Sequence, residues 1–228
     1  NIKELNLNFT VTNNNYKFEK ILFKFNKIKF NSDYINIQKK NKKFYVNGNL
    51  KNKKNKINND LVLLIFNNNL ENFDFSNSKF DSTSKFTFDL NKNFKISNIK
   101  VNSKLNLDEL ILKYDYNKIK NHIKNYNNLV KLKNNKINIK YLEKKFLIDG
   151  SSEFYIEDGN KNFLNFNISK SKNKTDFETI LDLQNLELDF DDISYKKNKK
   201  NNGTLKISAS ENNKTILFKK INYTNKKN

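Results

Sequence analysis

Apolar residues recur at every second position through most of this chain. In "LNLNFTV", Leu5, Leu7, Phe9 and Val11 fall on one side of an extended backbone. Phe86, Phe88 and Leu90 do so in "KFTFDL", and Ile137, Ile139 and Tyr141 in "KINIKY". Successive side chains of a β-strand point to opposite faces, so this period gives each segment one dry and one wet face, as in antiparallel sheets. "EFYIED", "LNFNIS", "TLKIS" and "TILFKKINY" continue the pattern. Roughly fifteen segments fit it, spaced as an all-β chain spaces its strands. The alternation keeps its character throughout, so 1–228 is read as one unit, all-β and mostly antiparallel.

A second regularity breaks the parity on purpose. Phe23, Phe25, Ile28 and Phe30 read apolar-x-apolar-x-x-apolar-x-apolar. So do Phe94, Ile96, Ile99 and Val101, then Leu105, Leu107, Leu110 and Leu112, and Leu181, Leu183, Leu186 and Leu188. A straight strand would turn half of each set to water. A two-residue hairpin or a β-bulge keeps both halves on one face. The intervening pairs (Asn-Lys, Ser-Asn, Asp-Glu, Gln-Asn) hold no glycine, so asparagine is expected to take left-handed positions. Both devices are expected among the four sites. Plainer turn signals stand at 12–17, 39–43, 51–60, 169–176 and 195–203. Gly150 and Gly159 read as turn glycines around a short strand.

The alternation lapses once. Ile119, Ile123, Tyr126 and Val130 follow helical spacing behind Asn117, an acceptable N-cap. This predicts a short amphipathic helix over 117–127, with Ile119, Ile123 and Tyr126 pressed onto the sheet.

Charge and residue choice limit function. The chain carries 44 basic and 24 acidic side chains, a formal net charge of +20. Every basic residue is lysine. Arginine, Pro, Cys, Met and Trp are absent, and Gly is 4. These gaps follow codon composition in an AT-rich genome, which also explains the lysine excess. A nucleic-acid binder would keep arginine for bidentate contacts and interleave aromatics with basic residues on one exposed face. Here the aromatics share the apolar face, so no nucleic acid is expected as a partner. Zero Cys excludes disulfides and thiolate sites, and one His leaves no His-based metal cluster, so neither cofactor nor metal is expected. His122 has no second His or Cys to orient it and reads as a partly exposed structural side chain. Glu153 and Glu157 share a strand face, but read as its polar side rather than as a glycosidase pair. No catalytic residue emerges, and the chain is not expected to be an enzyme.

What remains is the apolar surface. A single sheet curled on itself would form an elongated groove able to hold acyl chains. The alternative is a structural or adhesive surface β-sandwich whose dry faces meet, with no lipid groove. The stretch from Leu105 to Ile168, with its strand ending in "YDY", its "INIKY" strand and its hairpin "FLIDGSSEFYIED", resembles the AsmA-like proteins of Gram-negative bacteria, in particular the YhdP-type repeating β-groove members. "KFYVNGNL" fits their strand texture. The resemblance implies a segment of an envelope lipid-transport bridge, holding phospholipid or another acyl lipid between inner and outer membranes. It implies a periplasmic location, as part of a longer protein anchored in the inner membrane, and contact with envelope membranes through flanking regions. A start at Asn1 rather than Met agrees with such a piece. The resemblance implies a groove-lining face that includes Phe86, Phe88, Leu110, Leu112, Ile137, Ile139, Phe146, Ile148, Phe154 and Ile156.

Overall fold

The computed structural model describes residues 2–57, 72–75, 78–113, 122–123, 126, 128–142, 144–156, 161–199, 201–212 and 215–226. The strands are β1 (Ile2–Thr12), β2 (Asn15–Phe25), β3 (Ile28–Lys40), β4 (Lys43–Lys56), β5 (Phe73–Asp74), β6 (Lys79–Asn91), β7 (Ile96–Lys113) and β8 (Leu129–Leu142). They continue with β9 (Lys145–Tyr155), β10 (Asn162–Lys170), β11 (Lys174–Asp182), β12 (Leu188–Phe190), β13 (Tyr195–Lys197), β14 (Asn202–Asn212) and β15 (Thr215–Lys226). The fold is all-β and antiparallel. One 13-stranded sheet runs in chain order from β1 to β15, with β5 on β7, while β12 and β13 form a separate two-stranded sheet. Among the described residues the large sheet ends in the free edges β1 and β15 and does not close into a barrel.

The parity flips resolve as one hairpin, two in-strand shifts and one turn. Phe25 pairs with Ile28 and Phe23 with Phe30 across the two-residue turn Asn26-Lys27, where both φ values are positive, 47° and 68°. This is the turn geometry that matches strand twist, with Asn in the role glycine usually takes. In β7, Asn98 has φ 52° inside a register shift. Ile96 pairs with Leu90 and Val101 with Phe86, so both stay on one face. Leu107 and Leu110 lie opposite the equivalent device in β8, where Asn134 has φ 53°. Leu183 and Leu186 bracket a turn, closed by the Leu186 N–H donating to the Leu183 carbonyl at 3.1 Å, which carries the chain out of the large sheet into β12. Glu4, Lys20 and Lys54 repeat the left-handed residue at three more register shifts.

The result is a sheet most of whose apolar side chains share one face. Register places Ser84, Ser103, Ile139, Ile148, Ile168, Phe177 and Ala209 in one file across seven strands. Two glycines sit in this face under aromatic rings. A Cβ on Gly150 would come within 2.5 Å of Phe166, its cross-strand partner, and one on Gly48 within 2.9 Å of Phe86. Gly150 therefore lies inside β9 and is not the turn glycine expected; Gly159 falls outside the described residues.

Three further expectations change. The segment 51–60 was expected as a turn, but β4 runs on through Lys56, paired with β6 across its bulge. The segment 195–203 was expected as a loop, but it opens with β13. The helix over 117–127 falls largely outside the described residues, Ile119 included. At the described positions the chain is not helical: Ile123 makes an isolated antiparallel bridge to Leu188. Local spacing had no means of showing a partner 65 positions away.

Candidate functional site: one apolar face and its roofed end

The connections β4–β6, β7–β8, β9–β10 and β11–β14 all leave from the same end of the strands, opposite the short turns at 13–14 and 41–42. Two of them build a second layer over the apolar face there. β12, the 3-10 turn Asp191–Ile193 and β13 form a small hairpin. His122 and Ile123 join its edge: the Asp189 N–H donates to the His122 carbonyl at 3.0 Å, and His122 Nδ1 lies 3.2 Å from the Asp189 carbonyl oxygen. The His122 ring stacks on Phe190 with centroids 4.7 Å apart. This roof closes on the sheet through a buried cluster of Tyr126, Phe154, Ile156, Leu183, Leu186 and Leu188.

Lysine holds the roof in place. Lys197 has no exposed surface, and its Nζ donates to the carbonyls of Leu186 at 2.7 Å, Gln184 at 3.1 Å and Asn198 at 3.3 Å. A buried ammonium is tolerated only when its donors are spent, and three carbonyls meet that condition. Burial lowers its pKa below the ordinary lysine value, against the opposing pull of Asp182. Gly203 makes the room: a Cβ there would stand 2.7 Å from both the Lys197 chain and the Tyr223 hydroxyl. The Tyr195 hydroxyl donates to that of Tyr223 at 2.8 Å, and Asn225 Nδ2 donates to Tyr195 at 3.0 Å. Burial, then the bond to Tyr195, raises the Tyr223 phenol far above its usual range, so it stays neutral.

Between roof and sheet lies a cavity of ≈ 540 Å³. Phe154, Ile156, Leu181, Leu183 and Leu205 form its floor, and Leu186, Leu188, Phe190, Ile193 and Tyr195 its roof, with His122, Ile123 and Tyr223 completing the wall.

The ten residues expected to line a groove all lie on the apolar face, in β6 to β9 and just beyond. Phe86 and Phe88 stack on each other in β6, with centroids 6.0 Å apart. Ile139 pairs with Ile148, Tyr141 with Phe146, and Leu110 with Leu132, which pairs in turn with Phe154. Ile137 pairs with Gly150, and Leu112 with Val130. Their surroundings differ along the strands. Phe146 is 42% exposed at the far end, whereas Phe154 and Ile156 are buried under the roof and alone of the ten line the cavity. Ile123 was expected to pack on the sheet and His122 to be structural; the remaining wall residues were missed. Leu181 to Leu188 showed as a parity flip, but a turn into a separate layer gives the same spacing as a bulge. Tyr195 and Lys197 were hidden in a lysine/asparagine run.

Glu153 does not look like a proton donor. It accepts hydrogen bonds from Asn134 and Tyr155, each at 3.0 Å, and from Lys161 at 3.1 Å. Lys161 first, then Tyr155, hold its carboxyl below the ordinary range, whereas a general acid needs the reverse shift. Glu157 falls outside the described residues. Compared with protein-family models, curated proteins and solved structures, the chain matches none.

Proposed function

We propose that this chain is a lipid-holding segment whose apolar sheet face carries the acyl chains of a phospholipid or related lipid. The observation that supports this most is the one-sidedness of the sheet. Its strands turn most of their apolar residues to a common face, and among the described residues the roof covers one end of it, beside a second, smaller buried cluster of Ile28, Phe80 and Leu107. Large apolar side chains stay in contact with water elsewhere on that face, such as Phe9 at 67% exposure on β1 and Phe218 at 59% on β15. Exposed contiguous apolar surface of this kind marks a binding surface for apolar partners. Asn, Lys and Thr make up most of the opposite face, as a structure wet on one side requires, although Leu147, Phe163, Ile180 and Leu217 also stand there, exposed.

The resemblance of Leu105–Ile168 to AsmA-like proteins extends the reading to an envelope lipid-transport bridge in the periplasm, anchored through flanking regions. A structural or adhesive sandwich is the second reading. It draws support from the roof, whose dry cluster packs as a core does. Native mass spectrometry of the chain, purified from cells under gentle extraction, separates the two. Co-purifying phospholipid is expected; uniformly lipid-free protein under the same conditions contradicts the proposal.

A further inference from the structure

The wall of the roofed cavity differs from the rest of the apolar face. Outside the cavity, polar groups interrupt the hydrocarbon: Ser84 and Ser103 share a hydrogen bond at 2.8 Å, and the buried Ser152 donates to the buried Asn135 at 2.8 Å. Beneath the roof, the wall consists of Leu, Ile and Phe side chains, apart from His122, Tyr195 and Tyr223. These three turn polar atoms to each other or to main chain, as the Tyr195–Tyr223 bond and the His122–Asp189 contact show. A head group placed there would lose its hydration without gaining a partner. A hydrocarbon would lose nothing and would exclude water from apolar surface. The volume of ≈ 540 Å³ falls within the range of small-molecule sites, about 300–1,000 Å³.

The cavity floor and the open face are one surface. Phe154 in the floor is followed along β9, past Ser152 and Gly150, by Ile148 and Phe146 on the same side, and Leu181 along β11, past Thr179, by Phe177. We infer that the cavity receives the methyl end of one linear acyl chain, whose remainder lies on the open face along β9 and β11 and whose head group stays outside the roof. This rests on the acyl-lipid reading of the face. A linear chain fits better than a compact ring molecule because the apolar surface continues along the strands beyond the cavity.

The chain contains no Trp, so a single introduced indole reports on its own surroundings. Ile193 belongs to the cavity wall yet is 72% exposed, so Ile193→Trp spares the fold, which far-ultraviolet circular dichroism checks. Stearate brominated near its methyl end or near its carboxylate is then titrated in, and binding is followed independently by calorimetry. Methyl-end bromine is expected to quench the indole several-fold more than carboxylate-end bromine. Equal or reversed quenching overturns the inference. Calorimetric binding with no quenching by either probe also overturns it, but leaves the lipid-holding reading standing, with the chain elsewhere on the face. Absence of binding sinks both. If a brominated sterol binds and quenches while brominated stearate does not, the cavity serves a ring molecule and the inference fails.

Discussion

Asn135 and Ser152 show how this sheet tolerates polar side chains on its dry face. The Asn135 amide donates to the Leu107 carbonyl at 3.0 Å and its oxygen accepts from Ser152. Asn52 repeats this beside Lys54, donating to the Phe80 carbonyl at 3.0 Å and accepting from Ser82. Ser32 and Asn49 form a third such pair, at 3.1 Å. Each stands where the ladder is shifted and main-chain groups lose their regular partners. The asparagine replaces a missing ladder bond. Asn135→Ala would take the amide donor from the Leu107 carbonyl and leave Ser152 only its main-chain acceptors, Lys133 and Glu153, and is expected to cost about 1–3 kcal/mol in denaturant unfolding. Lys197 poses a separate test. Its pKa is lowered in the fold, so burial penalises the charged form. That penalty applies in full below the folded pKa and fades as pH rises from it toward the unfolded value of about 10.4. The melting temperature of the parent chain should gain relative to that of Lys197→Met across that window; a parallel pH profile would refute the assignment. The sequence showed asparagine as the left-handed residue of the turns. The Asn–Ser pairs were not legible, since only register brings Asn135 to Ser152.

At the scale of elements, the eight-residue parity flip carries the design. Alternation in the sequence was enough to find most strands, and wherever it slipped it called for a hairpin or bulge, an expectation that fails between Leu183 and Leu186, where a turn leaves the sheet. Which device is used depends on neighbours. Asn26-Lys27 turns the chain back, whereas Ser97-Asn98, equally polar, stays within β7 because β6 continues beside it. The device has a testable cost. Lys20 is exposed and has φ 52°, a conformation that strains a residue with a Cβ by roughly 1–2 kcal/mol. Lys20→Gly should relieve part of this and stabilise the chain, while Lys20→Val should destabilise it, both measured by urea titration. Opposite signs for the two variants are the expected result. The helix expected over 117–127 shows the limit of local pattern. Ile123 and Tyr126 do reach the apolar cluster, but through a bridge to β12 and a turn, because a partner strand distant in sequence was there to meet them.

For the whole molecule, the question is what an open apolar face is for. A sandwich core needs two sheets of comparable size facing each other. Among the described residues a two-stranded roof faces a 13-stranded sheet, so these are not the two comparable layers of a sandwich. All ten residues named as groove-lining from the sequence share that face, since period two fixes the face of a residue without knowledge of the fold. The roof and its cavity depend on contacts between β11–β14 and the segment before β8, and no local pattern encodes them. Ile148, half-buried in the open part of the face and paired with Ile139, gives the most direct measurement. In Ile148→Lys, the long side chain can carry its ammonium to water if the face is open. The variant should then keep the parent melting temperature to within a few degrees and lose co-purifying lipid in native mass spectrometry. Loss of the folded state, as expected for a charge forced into a closed core, would contradict the account.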